Sequence, residues 1–145
     1  MEINATLELP KVLEVSWALC EMMIVEKKAG RHTIYLDAKE IGKDLLIAIY
    51  GGDEHHIGGV AAAYPTESHY RDATTVSVST LTLPGHKDYV VANTAAEKIC
   101  KALEVPTIVT VGIHYENATG KEIEEIITVV NVLVDKIIAH YQKAE

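Results

Sequence analysis

The run Leu45-Leu46-Ile47-Ala48-Ile49-Tyr50 is apolar at every position and stops at Gly51-Gly52. A strand with one wet face alternates polar and apolar residues. An unbroken apolar run this short, closed by turn residues, fits a strand covered on both faces. Such a strand needs neighbours in the sheet and packing layers above and below it. The chain is thereby directed to a layered architecture. The stretch 106–113, rich in Val and Ile, reads as another buried strand and reinforces the constraint.

The remaining elements arrange themselves around these two runs. Residues 5–9 alternate and read as a strand. The stretch 11–27 fits either strand or helix, with a strand favoured over 20–27. Lys27 to His32 then forms a hairpin turn into a strand at 33–36, and 37–43 reads as a polar loop. Further strands are expected at 57–63, where Gly58 and Gly59 mark a bulge or a close backbone approach, and at 74–83. A helix begins near Pro84, with Ala92, Ala96, Ile99 and Leu103 at helical spacing. Thr119-Gly120-Lys121-Glu122 is a capping box. It opens a last helix whose apolar face carries Ile123, Ile126, Ile127, Val130, Leu133, Val134, Ile137 and Tyr141. The fold expected is α/β (α+β): a central mixed β-sheet of about six strands, with two C-terminal helices packed mainly on one face. The strand 74–83, the helix after it and the strand 106–113 form a candidate right-handed βαβ unit. One domain over 1–145 accommodates all of this.

Composition narrows the function. The chain has 145 residues, 48% of them hydrophobic, and no Phe, so the core is built from Ile, Val, Leu and Ala. Thirteen basic residues face 21 acidic ones, for a net charge of −8. That balance opposes nucleic acid, whose phosphates require a basic surface, and opposes an anionic membrane surface. No apolar run reaches the length of a membrane span and no signal peptide opens the sequence, so a cytoplasmic protein is expected. The two cysteines, Cys20 and Cys100, lie among apolar residues and read as buried, inert thiols.

Three glycine–histidine turns carry what chemistry the chain offers: Gly51-Gly52 through His55-His56, Pro84-Gly85-His86-Lys87, and Gly112-Ile113-His114. Each follows an expected strand. If those strands run parallel, their C-terminal ends share the edge where α/β sheets bind ligands. The turn before the first helix suits a phosphate or carboxylate, because a helix N-terminus presents unpaired N–H groups and a positive dipole end. Gly85 opens the backbone there and Lys87 adds charge. His56, His86 and His114, with Asp53, Glu54 or Asp88, also raise a zinc-like metal site, although no HExxH or CxxC spacing is present. His55 and His56 point to opposite faces in a strand, so one of the two faces any such site. No nucleophile elbow, Walker or GxGxxG motif occurs.

Taken together, 51–61, 83–88 and 112–119 resemble the LpdD-like prenylated flavin chaperone family, and Ile41-Gly42-Lys43-Asp44-Leu45-Leu46 fits the same pattern. The likeness spans roughly 30–135. The resemblance implies a non-catalytic accessory protein of UbiD-type decarboxylases, one that binds prenylated FMN or FMN and delivers it. It also implies a fold similar to proteasome-assembly chaperones, and a homodimer or higher homo-oligomer. The cofactor-binding residues it points to are Gly51, Gly52, His56, Gly58, Gly85, His86, Lys87, His114 and Asn117. The four glycines 51, 52, 58 and 59 are expected to leave room for a planar ring. Two other readings stay open: a small metal-dependent enzyme using the same turns, and an assembly chaperone with no small-molecule site.

Overall fold

A computed structural model describes residues 22–68, 70, 72–85 and 87–143. The elements are β1 (Met22–Ala29), β2 (His32–Ile41), β3 (Asp44–Gly52), β4 (Glu54–Glu67), β5 (Thr74–Thr82), α1 (Tyr89–Leu103), β6 (Thr107–His114) and α2 (Gly120–Lys143). They form one six-stranded sheet in the order β1-β2-β3-β6-β4-β5. The expected strand at 5–9, the first part of 11–27, and Cys20 lie outside the described residues.

The sheet is mixed, as expected. β1, β2 and β3 form an antiparallel meander. β6 then pairs parallel with β3, and β4 runs antiparallel to both β6 and β5. Both meander turns are two residues long and place a left-handed glycine first, Gly30 at φ +64 and Gly42 at φ +62. That is the type II′ pattern, whose twist matches the strands it joins.

The fold departs from the sequence reading in four places. Residues 37–41 are strand, because Asp37 and Lys39 are merely the outward half of a strand whose Ala38 is fully buried. The first helix starts at Tyr89 and not near Pro84, since Pro84-Gly85 forms a turn with Gly85 at φ +78. β5 and β6 are parallel, but β4 separates them in the sheet. Finally, β3 and β6 alternate in burial. Leu45, Ile47 and Ile49 are buried, whereas Leu46 is 37% exposed and Ile108 44%. Among the described residues only one face of the sheet is covered.

That covered face makes the core. Ile34, Leu36, Ile47, Ile49, Val109 and Val111 meet Ile99, Leu133, Val134 and Ile137 from the helices. Each such side chain contributes about 1.5–3 kcal/mol by leaving water. α1 presents Ala92, Ala95 and Ala96 to the β4 side of the sheet, where Ala61 and Ala63 are equally small, so helix and strand approach closely. α2 lies over β1 and β2. Its capping box forms: Thr119 Oγ1 accepts the Glu122 N–H at 3.2 Å, and Glu122 Oε2 accepts the Thr119 N–H at 2.9 Å. Two residues expected on the apolar face of α2, Ile123 and Ile127, are about half exposed, and Ile127 lines a shallow cleft with Val90 of α1. Cys100 is a free thiol on the buried side of α1, and burial pushes it up from its usual range.

Candidate functional site

Topology gathers the three turns at one edge of the sheet. β3 and β6 end side by side, with Gly52 opposite His114. β4 begins beside them, Glu54 pairing with His114. The turn after β5 is anchored to the same region by the Leu83 N–H, which donates to Gly58 O at 3.2 Å.

Glycines determine the local shape. The register of β4 against β6 slips between His55 and Gly59, which is a β-bulge. The bulge passes over Gly112, where any Cβ would coincide with the His56 carbonyl and stand 3.0 Å from Ile57 N. A Cβ on Gly59 would lie 2.6 Å from Tyr89 Cα, and one on Gly58 would lie 2.9 Å from Asp88 Cγ. Gly51 and Gly52 are equally crowded, by Thr33 and Ile34 and by His114 and Tyr115. The room expected at 51, 52, 58 and 59 for a planar ring is therefore filled by the chain itself. These glycines allow the backbone to approach itself closely. Gly85 differs: nothing lies within 4 Å of the space its side chain would occupy.

The bulge aims His56 at the start of α1. His56 Nε2 donates to Asp88 Oδ2 at 3.2 Å, and its Nδ1 lies 3.4 Å from Glu54 O. Asp88 Oδ1 accepts the Ile113 N–H at 3.1 Å. The His114 ring stands edge-on to His56, with centroids 6.5 Å apart. His55 turns the other way, toward the stacked rings of Tyr35 and Tyr50. Asp88 occupies the N-cap of α1 but makes no capping hydrogen bond with its side chain. Aspartate is among the best N-cap residues. Here its carboxylate is committed to His56 and Ile113. Lys87 is exposed immediately before it. His86 lies outside the described residues. Among those residues no three His, Cys, Asp or Glu side chains are arranged to hold a metal.

A second polar cluster fixes the loop that carries Asn117. Asp53 Oδ2 accepts the Glu116 N–H at 2.8 Å. It also lies 3.2 Å from His32 Nε2 and 3.8 Å from Arg31 Nη1. The His32 contact is close enough for charge attraction but is not aligned as a hydrogen bond. The Glu116 N–H above all, then the His32 and Arg31 charges, hold the Asp53 carboxyl below its ordinary range. Arg31 donates to Glu122 Oε1 at 2.9 Å and to the Glu116 carbonyl, and lies over the Tyr115 ring. Tyr115 is buried and donates to Ala29 O at 2.6 Å. Asn117 sits in the left-handed region at φ 52, which asparagine tolerates.

Gly51, Gly52, His56, Gly58, Gly85, Lys87, His114 and Asn117 thus all lie at or beside one edge. Sequence reasoning missed Arg31 and Tyr115, which give no motif. It also named Asp88 among possible metal ligands and His32 as the end of a hairpin turn, whereas Asp88 holds His56 and the Ile113 N–H and His32 packs edge-on against Tyr115.

Residues 28–142 match the prenylated flavin chaperone LpdD-like domain. A comparison with curated proteins finds no match. Among solved structures, the chain is similar to one described as a chaperone complex for yeast 20S proteasome assembly. The identity is 13%, with 78% of this chain and 98% of that chain covered and a TM-score of 0.45.

Proposed function

Because the chain belongs to the prenylated flavin chaperone LpdD-like family, we propose that it binds prenylated FMN at the histidine edge and passes it to a UbiD-type decarboxylase. In this reading the protein works in the cytoplasm as a homo-oligomer and does not catalyse decarboxylation.

One observation carries the site assignment: Asp88 stands at the N-cap of α1 and leaves the helix without a side-chain cap. The first-turn N–H groups of a helix need an acceptor, and a phosphate is well suited to supply one. Gly85, open on its side-chain side, lets such a group approach, and His86 and Lys87 flank it. The Asp88 charge does not stand bare against the phosphate, since its oxygens engage His56 Nε2 and the Ile113 N–H. In this reading His56, His114 and Asn117 would meet the polar edge of the ring. Gly51, Gly52 and Gly58 contribute by letting the walls of the site close up.

Calorimetry with FMN, prenylated FMN and riboflavin tests this. The two phosphorylated flavins bind and riboflavin binds markedly more weakly. Lys87→Ala weakens FMN by about fivefold, the size of one exposed charge near a helix N-terminus at roughly 1 kcal/mol. His86→Ala lowers the yield of active enzyme in a coupled decarboxylase maturation assay. Equal affinity for FMN and riboflavin removes the phosphate assignment. Failure of both phosphorylated flavins to bind removes the cofactor reading altogether.

A further inference from the structure

The face of the sheet turned away from α1 and α2 is lined by apolar side chains at its centre. Pairing aligns Met22, Leu46, Ile108 and Ala62 in one row across the strands, with Lys39 and Ser79 interspersed. The next row holds Ile24, Asp37, Ala48, Thr110, Val60 and Leu81. Met22, Ile24 and Leu81 are more than half exposed. A sheet with a permanently wet face alternates more cleanly than this, and an apolar patch such as that of Leu46, Ala48, Ile108, Val60, Ala62 and Leu81 marks an interaction surface. Asp37, on the same face, is held by Tyr50, which donates to its Oδ2 at 2.9 Å.

We propose that residues 1–21 of the same chain cover this face. The segment joins the sheet at Met22, whose side chain, with that of Ile24, already belongs to the open face. Six strands span about 24 Å, which seven or eight extended residues cross, so 21 residues are ample. The segment carries Leu7, Leu9, Val12, Leu13, Val15, Trp17 and Leu19, apolar side chains enough to pack on both rows. This assignment is independent of the flavin reading.

Trp17 is the only tryptophan in the chain, so its fluorescence reports directly on the segment. In the unmodified protein its emission is blue-shifted and its quenching by acrylamide is several-fold weaker than for free tryptophan amide, at every concentration tested. Ile108→Glu and Leu46→Lys, on the open face, each shift the emission to the red and restore quenching while the far-ultraviolet circular dichroism is kept. Lys136→Glu, on the outer side of α2, changes neither. A water-exposed Trp17 in the unmodified protein overturns the proposal, and that measurement stands even if a variant fails to fold. Protection that appears only at concentrations where sedimentation shows a dimer also overturns it, because the face is then covered by a second copy.

Discussion

Replacing Gly59 by alanine tests how tightly the histidine site depends on the seating of α1. The new Cβ would stand 2.6 Å from Tyr89 Cα and 2.9 Å from the Asp88 carbonyl carbon, and closer still to Tyr89 N. Every one of these is backbone, so no rotamer change relieves the clash. An ordinary carbon–carbon contact is about 3.7 Å, so the start of α1 must lift from β4 by about 1 Å. Overpacking of this kind costs roughly 1–3 kcal/mol. The lift also carries Asp88 away from His56 and the Ile113 N–H, adding about 1 kcal/mol for partly buried hydrogen bonds. The total expected is about 2–4 kcal/mol. With a urea m-value of about 2 kcal/mol/M, the unfolding midpoint falls by about 1–2 M. Gly85→Ala is the comparison: its surroundings are open and only its φ of +78 resists the change, so about 1–2 kcal/mol is expected. A Gly59→Ala midpoint as high as that of the unmodified protein would refute the argument that α1 rests on the missing side chain.

Three further outcomes follow from the polar clusters. Tyr115→Phe leaves the Ala29 carbonyl without its buried donor and costs about 1–2 kcal/mol in chemical denaturation. Thr119→Ala removes the side-chain half of the α2 capping box, in which Oγ1 accepts the Glu122 N–H, while the residue-119 N–H still donates to Glu122 Oε2; the cost is about 1 kcal/mol, read the same way. Asp53 and Glu122 both have carboxyls held below their ordinary values in the folded chain, each first by a backbone N–H, from Glu116 and Thr119. Their unfolded forms bind protons at higher pH than the folded ones. The stability they contribute is therefore complete above the ordinary carboxyl range and is lost as pH falls through the folded values. Melting temperature should drop as the buffer passes below about pH 4, and less steeply in Asp53→Asn.

The elements were legible wherever periodicity or punctuation was strong. The apolar run at 45–50 and the Val/Ile-rich stretch 106–113 marked the two central strands, and the Thr119–Glu122 box located the start of α2 to the residue. Gly58 and Gly59 announced a bulge or a close approach, and the fold has both. What escaped was set by partners distant in sequence. Residues 37–41 looked like loop because their polar members face away from the helices. The sequence also could not say that Gly112 clears the path of a bulge more than fifty positions earlier, nor that Asp88 would give up capping α1 to hold His56. The edge itself was inferred from three turns, but its architecture required the pairing of β3 with β6.

That pairing has a kinetic consequence. Leu45 meets Thr107 across the only parallel seam among the described strands, so the two central strands are brought together from positions separated by β4, β5 and α1. The β1–β2–β3 meander closes through tight local turns and can assemble early. β3 must then wait for β6, with its apolar edge unpaired, while β4, β5 and α1 are made. Such non-local pairing slows folding and leaves a strand edge open to other chains in the interval. Aggregation during synthesis should accordingly be most acute for nascent chains that stop short of residue 107.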